Sequence, residues 1–321
     1  GFLYFEDNYQ SVPDAFLNSS LYGFIFDFYG LRKALNYEGV PMRKYASDIN
    51  RSTLNWIDQD EDKPFLVFMN YFDVHDPYTP PEPYRSKYAS VPNPGGLING
   101  FMERYSPSLT PEQLQSEIDA YDGSISYVDD QIKDLFGELE QRGLLEDTIV
   151  IITSDHGESL GEHGLLQHSA SLYLEEIHVP LIVWGVDNIP AGMVINTPVS
   201  LTALPATLLS LSNSSDEIFP GPSLALIMTD ANAGANWPDP ISEVAQMDGA
   251  AEQNPSTHGE MKSVVDPEMQ YITHENFGEE LYNWRTDPQE MDNLINDPAA
   301  KTVVDVFRSY LNNLIGELFK K

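Results

Sequence analysis

Histidines and carboxylates gather at two places in this 321-residue sequence, each directly after an apolar run of strand length. After "FLVFMNYF" come Asp73, His75 and Asp76; after "TIVIITS" come Asp155 and His156, with Glu158, Glu162, His163 and His168 close behind. A carboxylate beside an imidazole offers one oxygen and one nitrogen donor to a single cation. The carboxylate suits hard cations such as calcium, while the imidazole leaves room for another divalent metal. A histidine also carries protons to and from reacting groups near neutral pH. Gly157, directly after the Asp155–His156 pair, lets the backbone turn sharply. A single Asp-His pair is an ordinary feature of turns. What singles out this chain is the number of such groups: His75, Asp155, His156, His163 and His168. His178, just before an apolar run, reads as a satisfied edge residue. Glu158 and Glu162 read as solvent-facing or supporting groups rather than ligands.

Elements able to position these groups are legible around them. "ASDINRSTLNWIDQDEDKP" predicts a helix, with Ile49, Thr53 and Ile57 at four-residue steps. "FLVFMNYF" is a continuous apolar run, the pattern of a strand buried on both faces. It ends in the proline-rich "DVHDPYTPPEPY", which cannot continue a sheet. From Pro111 a long helix is predicted, its apolar stripe running from Leu114, Ile118, Tyr121 and Ile125 to Leu135 and Leu139. Pro111 suits its first turn and Gly143 its end. "DTIVIITS" and "VPLIVWG" predict two further buried strands. Helix followed by strand in this order argues an α/β fold, a largely parallel sheet with helices on its faces. In such sheets ligands bind at the carboxyl ends of the strands, where both polar clusters lie.

Farther along, "SLTALPATLLSLS" predicts a helix packed on the sheet. Residues 213–260, rich in Pro, Asn, Ala, Gly and Asp, read as loop, as do residues 85–110. "MKSVV", "MQYIT" and "EELYNW" predict short strands of a small antiparallel unit. An amphipathic helix carrying Val303, Val304, Phe307, Leu311, Leu314 and Leu318 closes the chain. The first 45 residues are aromatic-rich and without clear pattern. This organisation divides the chain into an α/β domain, 1–215, and a C-terminal subdomain, 216–321.

Fifty acidic residues against 17 basic ones give a formal charge of -33. That field repels nucleic acid and anionic membranes, so neither is an expected partner. It is first of all a well-hydrated surface, and adaptation to high salt is the sharper reading. No run of 18 apolar residues is present, so no transmembrane span is expected. With no cysteine, disulfides and zinc–thiolate sites are excluded within these residues. "GFLYFEDNYQ" lacks the basic and apolar regions of a signal peptide, and it opens without methionine, as expected of part of a longer sequence. Compartment stays open.

Three long stretches carry a resemblance: "KPFLVFMNYFDVHDPYTPPEPY", "YDGSISYVDDQIKDLFGELEQRGLLEDTIVIITSDHGESLGEHGLLQH" and "LYLEEIHVPLIVWG". With "PVSLTALPATLLSL", "FPGPSL" and "EELYNWRTDPQEMDNLIND", they closely resemble the sulfatase family of the alkaline-phosphatase superfamily. The resemblance implies a mixed, mostly parallel α/β sheet flanked by helices, with a smaller C-terminal four-stranded unit against a helix. It also implies hydrolysis of a sulfate ester, small-molecule or carbohydrate, at one divalent cation. That cation is usually calcium, with magnesium or manganese as alternatives. Asp155 and His156 match the family's second pair of metal ligands. His75 matches its histidine that contacts the sulfate and protonates the leaving oxygen. His168 falls where a lysine or histidine touches the sulfate, and His163 either lines the pocket or shapes a turn. Ala203 stands where the family usually has aspartate, implying a packing change. The family's nucleophile is a formylglycine made from a C/S-x-P-x-R motif, which these residues do not contain. The resemblance places that motif and the paired metal aspartates upstream, so the 321 residues alone are expected to be inactive.

Two other readings keep their place. A phosphodiesterase, phosphonate hydrolase or phosphoglycerol transferase of the same superfamily would share "SDHG", although "FDVHDPYTPPEPY" favours the sulfatase branch. A non-catalytic sulfatase-like binding protein would not need so many histidines and aspartates at strand ends.

Overall fold

A computed structural model describes residues 4–6, 44–59, 63–92, 94–98, 109–185, 191–212, 214, 219, 221–248 and 252–318. The chain forms two compact units, Gly1–Glu146 and Asp147–Lys321. Most of the patternless first 45 residues, residues 99–108 of one predicted loop and parts of the other (213–260) lie outside the described residues.

In the first unit, α1 (Ala46–Ile57) forms where the four-residue repeat predicts it and buries Ala46, Asn50, Leu54 and Ile57. Its amino end is held by Asp73, whose two carboxylate oxygens accept from the Ala46 N–H at 3.0 and 3.3 Å. A carboxylate suits that position because helix N-termini carry unpaired N–H groups and partial positive charge. A short α2 (Tyr84–Lys87) follows. The long α3 (Pro111–Gln141) opens with a capping box between Thr110 and Gln113 and has Pro111 in its first turn. It closes at Gly143, which takes a left-handed φ of 69°, while Leu144 N–H donates to Leu139 O at 2.9 Å.

Two expectations for this unit are corrected. Residues 64–72 pair with no other strand among the described residues, and they alternate between half-buried and exposed, with Phe68 79% exposed. A run buried on both faces needs neighbours on both sides, and no described segment supplies them. The second correction concerns α3. Its most buried face is Ser116, Glu117, Asp119, Ala120, Gly123, Ser124 and Tyr127; of the predicted apolar stripe Leu139 is buried, while Ile125 is exposed. Small side chains there admit the backbone of the preceding loop, and carboxylates satisfy its N–H groups. Leu97 and Ile98 donate to Glu117 at 2.9 and 3.3 Å, and Ser90 N–H donates to Asp119 at 2.7 Å. Burial pushes the Glu117 carboxyl above its ordinary range.

In the second unit, β1 (Val150–Thr153) pairs with β4 (Leu181–Trp184), in the predicted runs. The pair is antiparallel, Val150 opposite Trp184 and Thr153 opposite Leu181. Helix-then-strand order suggested parallel neighbours, but the chain between these two holds a small hairpin and one helical turn, not a crossover helix. The hairpin is β2 (Ser159–Leu160) with β3 (Leu166–Gln167), and the turn is α4 (Leu174–Ile177). α5 (Leu204–Leu211) and α6 (Ala225–Thr229) follow. Ala203 is buried with Leu224, Ile227 and Met228, against Leu181 and Val183 of β1's partner strand. It is a packing position, as the sequence reading held.

The antiparallel unit has four strands in the order β5 (Ile241–Val244), β6 (Met261–Val265), β7 (Gln270–His274) and β8 (Gly278–Tyr282). Strand β5 lies inside the segment read as loop. Its four residues are only partly buried at the sheet edge, too short a pattern to show period-two alternation. α7 (Lys301–Leu318) covers this sheet, and Val304, Phe307 and Leu311 pack on Val264, Tyr271 and Leu281. The Leu318 side chain lies outside the described residues. The chain is thus mixed α/β with a small C-terminal antiparallel sheet and helix. No helix among the described residues is long and apolar enough to cross a membrane.

Candidate metal and acid–base site

Strand β1 ends at Thr153 and hands the chain to Ser154, Asp155, His156 and Gly157. This segment is fixed to α4 by two backbone bonds. Gly157 N–H donates to Glu176 O at 2.8 Å and Glu158 N–H to Glu175 O at 2.9 Å. A Cβ at residue 157 would overlap the Glu175 carbonyl oxygen and sit 3.0 Å from its carbon. Glycine serves close approach here, not the sharp turn expected from the sequence, since Gly157 is absent from the left-handed residues.

The His156 ring is oriented by its own neighbour. Nδ1 lies 2.8 Å from Gly157 O, so Nδ1 carries the hydrogen and donates it. Nε2 therefore presents a lone pair, 3.8 Å from Asp155 Oδ1. The Asp155 side chain is 89% exposed. Two ligands of one divalent cation lie about 3–4 Å apart, from metal–ligand distances of about 2.0–2.5 Å. The pair fits such a cation, and a backbone carbonyl fixing the tautomer is the usual support for a ligating histidine.

His168 joins the same cluster. Its ring stacks on His156 with centroids 4.0 Å apart and planes 25° apart. Its Nδ1 bonds the Glu158 carboxylate at 3.0 Å, and Glu158's side chain is only 5% exposed. Of the two roles read for Glu158, support for His168 is the one realised, and solvent exposure is not. Glu176 anchors the loop before α4. Its carboxylate accepts from Ser159 Oγ at 3.0 Å, Ser171 Oγ at 2.9 Å and Ala170 N–H at 3.1 Å. Burial raises its pKa, opposed by those hydrogen bonds.

His163 keeps different company. It sits at the hairpin tip in left-handed backbone, φ 51°, and stacks on Tyr173 at 3.7 Å with planes 9° apart. Its Nε2 groups with Glu175 and Glu290 carboxylate oxygens, all within 4.8 Å of one another. Glu290 is buried, and its Oε2 accepts from Leu174 N–H at 2.7 Å. Burial first, then the charges of Glu175, Glu280 and Asp287, push its carboxyl up to about 8 against the lowering effect of that hydrogen bond. Sequence reasoning missed Glu175, Glu176 and Glu290. Glutamates beside an apolar run, in "YLEEIHVPLIV", were the available signal for the first two. His178 caps α4 and is exposed at its end.

His75 belongs to the first unit. Its Nδ1 lies 2.9 Å from Asp76 O and 2.8 Å from Asp76 Oδ1, and its ring stacks on Phe72 at 4.3 Å. The buried Asp76 therefore holds the Nδ1–H tautomer. Asp73, at the same strand end, acts as the helix cap described above.

Comparison with known proteins brings these motifs into a common frame. A family model described as Sulfatase matches residues 3–214. The chain is 29% identical over 273 residues to the uncharacterized sulfatase YidJ of Escherichia coli (strain K12), covering 79% of this chain and 52% of that protein. It is 25% identical over 297 residues to an arylsulfatase of Clostridium perfringens, covering 84% and 59%. Among solved structures it is similar to a phosphonate monoester hydrolase of Agrobacterium radiobacter, with TM-score 0.70, 21% identity, and 87% and 63% coverage. The chain spans about half the length of the curated relatives it matches.

Proposed function

This chain belongs to the sulfatase family, and from that premise we propose that it supplies part of the active site of a sulfuric ester hydrolase. Asp155 and His156 hold one side of a divalent cation. The observation that carries this is the His156 tautomer, set by Gly157 O so that Nε2 keeps its lone pair for an ion, 3.8 Å from Asp155 Oδ1. The cation, when bound, polarises the sulfate oxygens. Calcium is the first choice, and magnesium or manganese suits the mixed donor pair.

His75 serves the leaving group. With the Nδ1 hydrogen engaged by Asp76, its Nε2 is the atom that passes a proton to the departing alkoxide. His168, hydrogen-bonded to the Glu158 carboxylate, offsets in its protonated form negative charge growing on the sulfate oxygens. The nucleophile, a formylglycine in this family, does not arise from these 321 residues, which hold neither cysteine nor an S-x-P-x-R stretch. The substrate is a sulfate ester of a small molecule or carbohydrate.

The test uses the protein carrying the nucleophile motif. Asp155→Ala and His156→Ala each lose the cation and cut aryl sulfate turnover by at least about 1000-fold, a loss the size of removing a main electrostatic stabiliser. Retention of both cation and turnover in these variants overturns the assignment. Faster turnover of a phosphonate monoester than of an aryl sulfate replaces the sulfate reading with its superfamily alternative.

A further inference from the structure

Among the described residues, five buried polar atoms of the second unit have no hydrogen-bond partner, and three of them lie on His163 (Nε2), Glu175 (Oε2) and Glu290 (Oε1). They are the same three residues whose ligand atoms lie within 4.8 Å of one another. Neither carboxylate forms an ion pair with a lysine or arginine among the described residues. Two carboxyl groups and an imidazole, three groups able to ligate an ion, thus gather within reach of one point with no partner for these atoms. Glu290, 1% exposed, is the telling member: an orphaned carboxylate oxygen in a closed interior is costly unless a cation compensates it.

We propose that His163, Glu175 and Glu290 bind a divalent transition-metal ion, of which zinc is the type, as a structural clamp separate from the Asp155–His156 pair. One nitrogen and two oxygen donors match zinc's preferences, with water completing a tetrahedral shell. Calcium, which gathers six to eight oxygens, is poorly served by them. The supports of each ligand are in place. Tyr173 lies flat against the His163 ring and fixes its plane. Leu174 N–H holds Glu290 Oε2, leaving Oε1 for the ion. Both His163 and Glu290 occupy left-handed backbone, φ 51° and 52°, which aims their side chains at the common point. The ion would tie together the hairpin tip, the start of α4 and the loop after β8, which lie far apart in sequence. This clamp does not depend on the hydrolase reading.

The test is titration of chelator-stripped protein with zinc by calorimetry, with metal analysis after desalting and cobalt substitution as a spectroscopic check. Expected are one ion at this site, visible cobalt d–d bands, and a thermal midpoint that rises with zinc. Glu290→Gln and His163→Ala each weaken zinc binding by at least about 100-fold. The double variant Asp155→Ala/His156→Ala leaves this binding unchanged. Where Glu290→Gln fails to fold, Glu175→Gln takes its place, and circular dichroism verifies each variant. No zinc bound, or zinc held equally by the Glu290 and Glu175 variants, overturns the clamp. So does loss of all zinc in the Asp155/His156 variant.

Discussion

Replacing Gly157 by alanine tests how tightly the segment carrying Asp155 and His156 is pressed against α4. The new methyl group overlaps the Glu175 carbonyl oxygen, and an ordinary C···O contact needs about 3.3 Å, so the two backbones must part by roughly 1 Å. That movement stretches the bonds from Gly157 N–H to Glu176 O (2.8 Å) and from Glu158 N–H to Glu175 O (2.9 Å) beyond useful length. Each lost bond costs about 1 kcal/mol, and more where a buried group is left unpaired. The total is about 3–5 kcal/mol, a large share of the about 5–15 kcal/mol that holds a typical domain together. The thermal midpoint should fall by roughly 10 °C for a unit of this size. Because the same shift displaces Asp155 and His156, cation affinity measured by calorimetry should drop with it. Activity of the whole enzyme should fall by about 100-fold, the usual consequence of a 1 Å misplacement. Chemical denaturation placing the variant within 1 kcal/mol of the parent, with unchanged cation affinity, would refute this account of Gly157.

Two more outcomes follow from the second unit. Phe307→Ala removes a buried ring stacked on Tyr271 at 5.7 Å, and denaturant unfolding should register a loss of about 3–5 kcal/mol. In metal-free protein, Glu290 has a folded pKa of about 8 against an ordinary 4.5. Between those values the folded chain holds an extra proton, so stability falls as pH climbs through that window. The loss is of order 4 kcal/mol by the top of the window. Unfolding curves from pH 4 to pH 9 should show that slope, Glu290→Gln should remove it, and zinc should remove it as well.

How much was legible in the sequence depended on the range of the interaction. Helices α3 and α7 were readable because caps and periodic apolar positions are local properties. The strand after Gly278 and its two predecessors were readable from β-branched and aromatic runs between turn residues. Strand β5 was not, because four half-buried edge residues carry almost no pattern. The buried face of α3 was misread for a different reason. Hydrophobic periodicity marks what could be buried, while Glu117 and Asp119 are buried because a loop brings unpaired N–H groups to them. In the candidate site, Asp155, His156 and His168 were singled out from residue type and strand-end position, and the structure stacks the His156 and His168 rings against each other. Glu175, Glu176 and Glu290 were not found, since their significance lies partly in contacts across 17 and 116 positions of chain.

The way α3 holds the loop before it has an evolutionary consequence. Ser90, Gly95, Leu97 and Ile98 are all gripped through their backbone N–H groups, by Asp119, Ser116 and Glu117. Every amino acid but proline offers that same donor. Anchorage here rests largely on backbone donors, with side chains counting at Ser90, whose hydroxyl also donates to Asp119, at the buried Ile98, at the left-handed Gly96, and at Gly95, where a Cβ would strike Tyr78 and Ala120. The helix supplies a fixed mount, so the exposed side chains of this stretch can change while its backbone keeps its place.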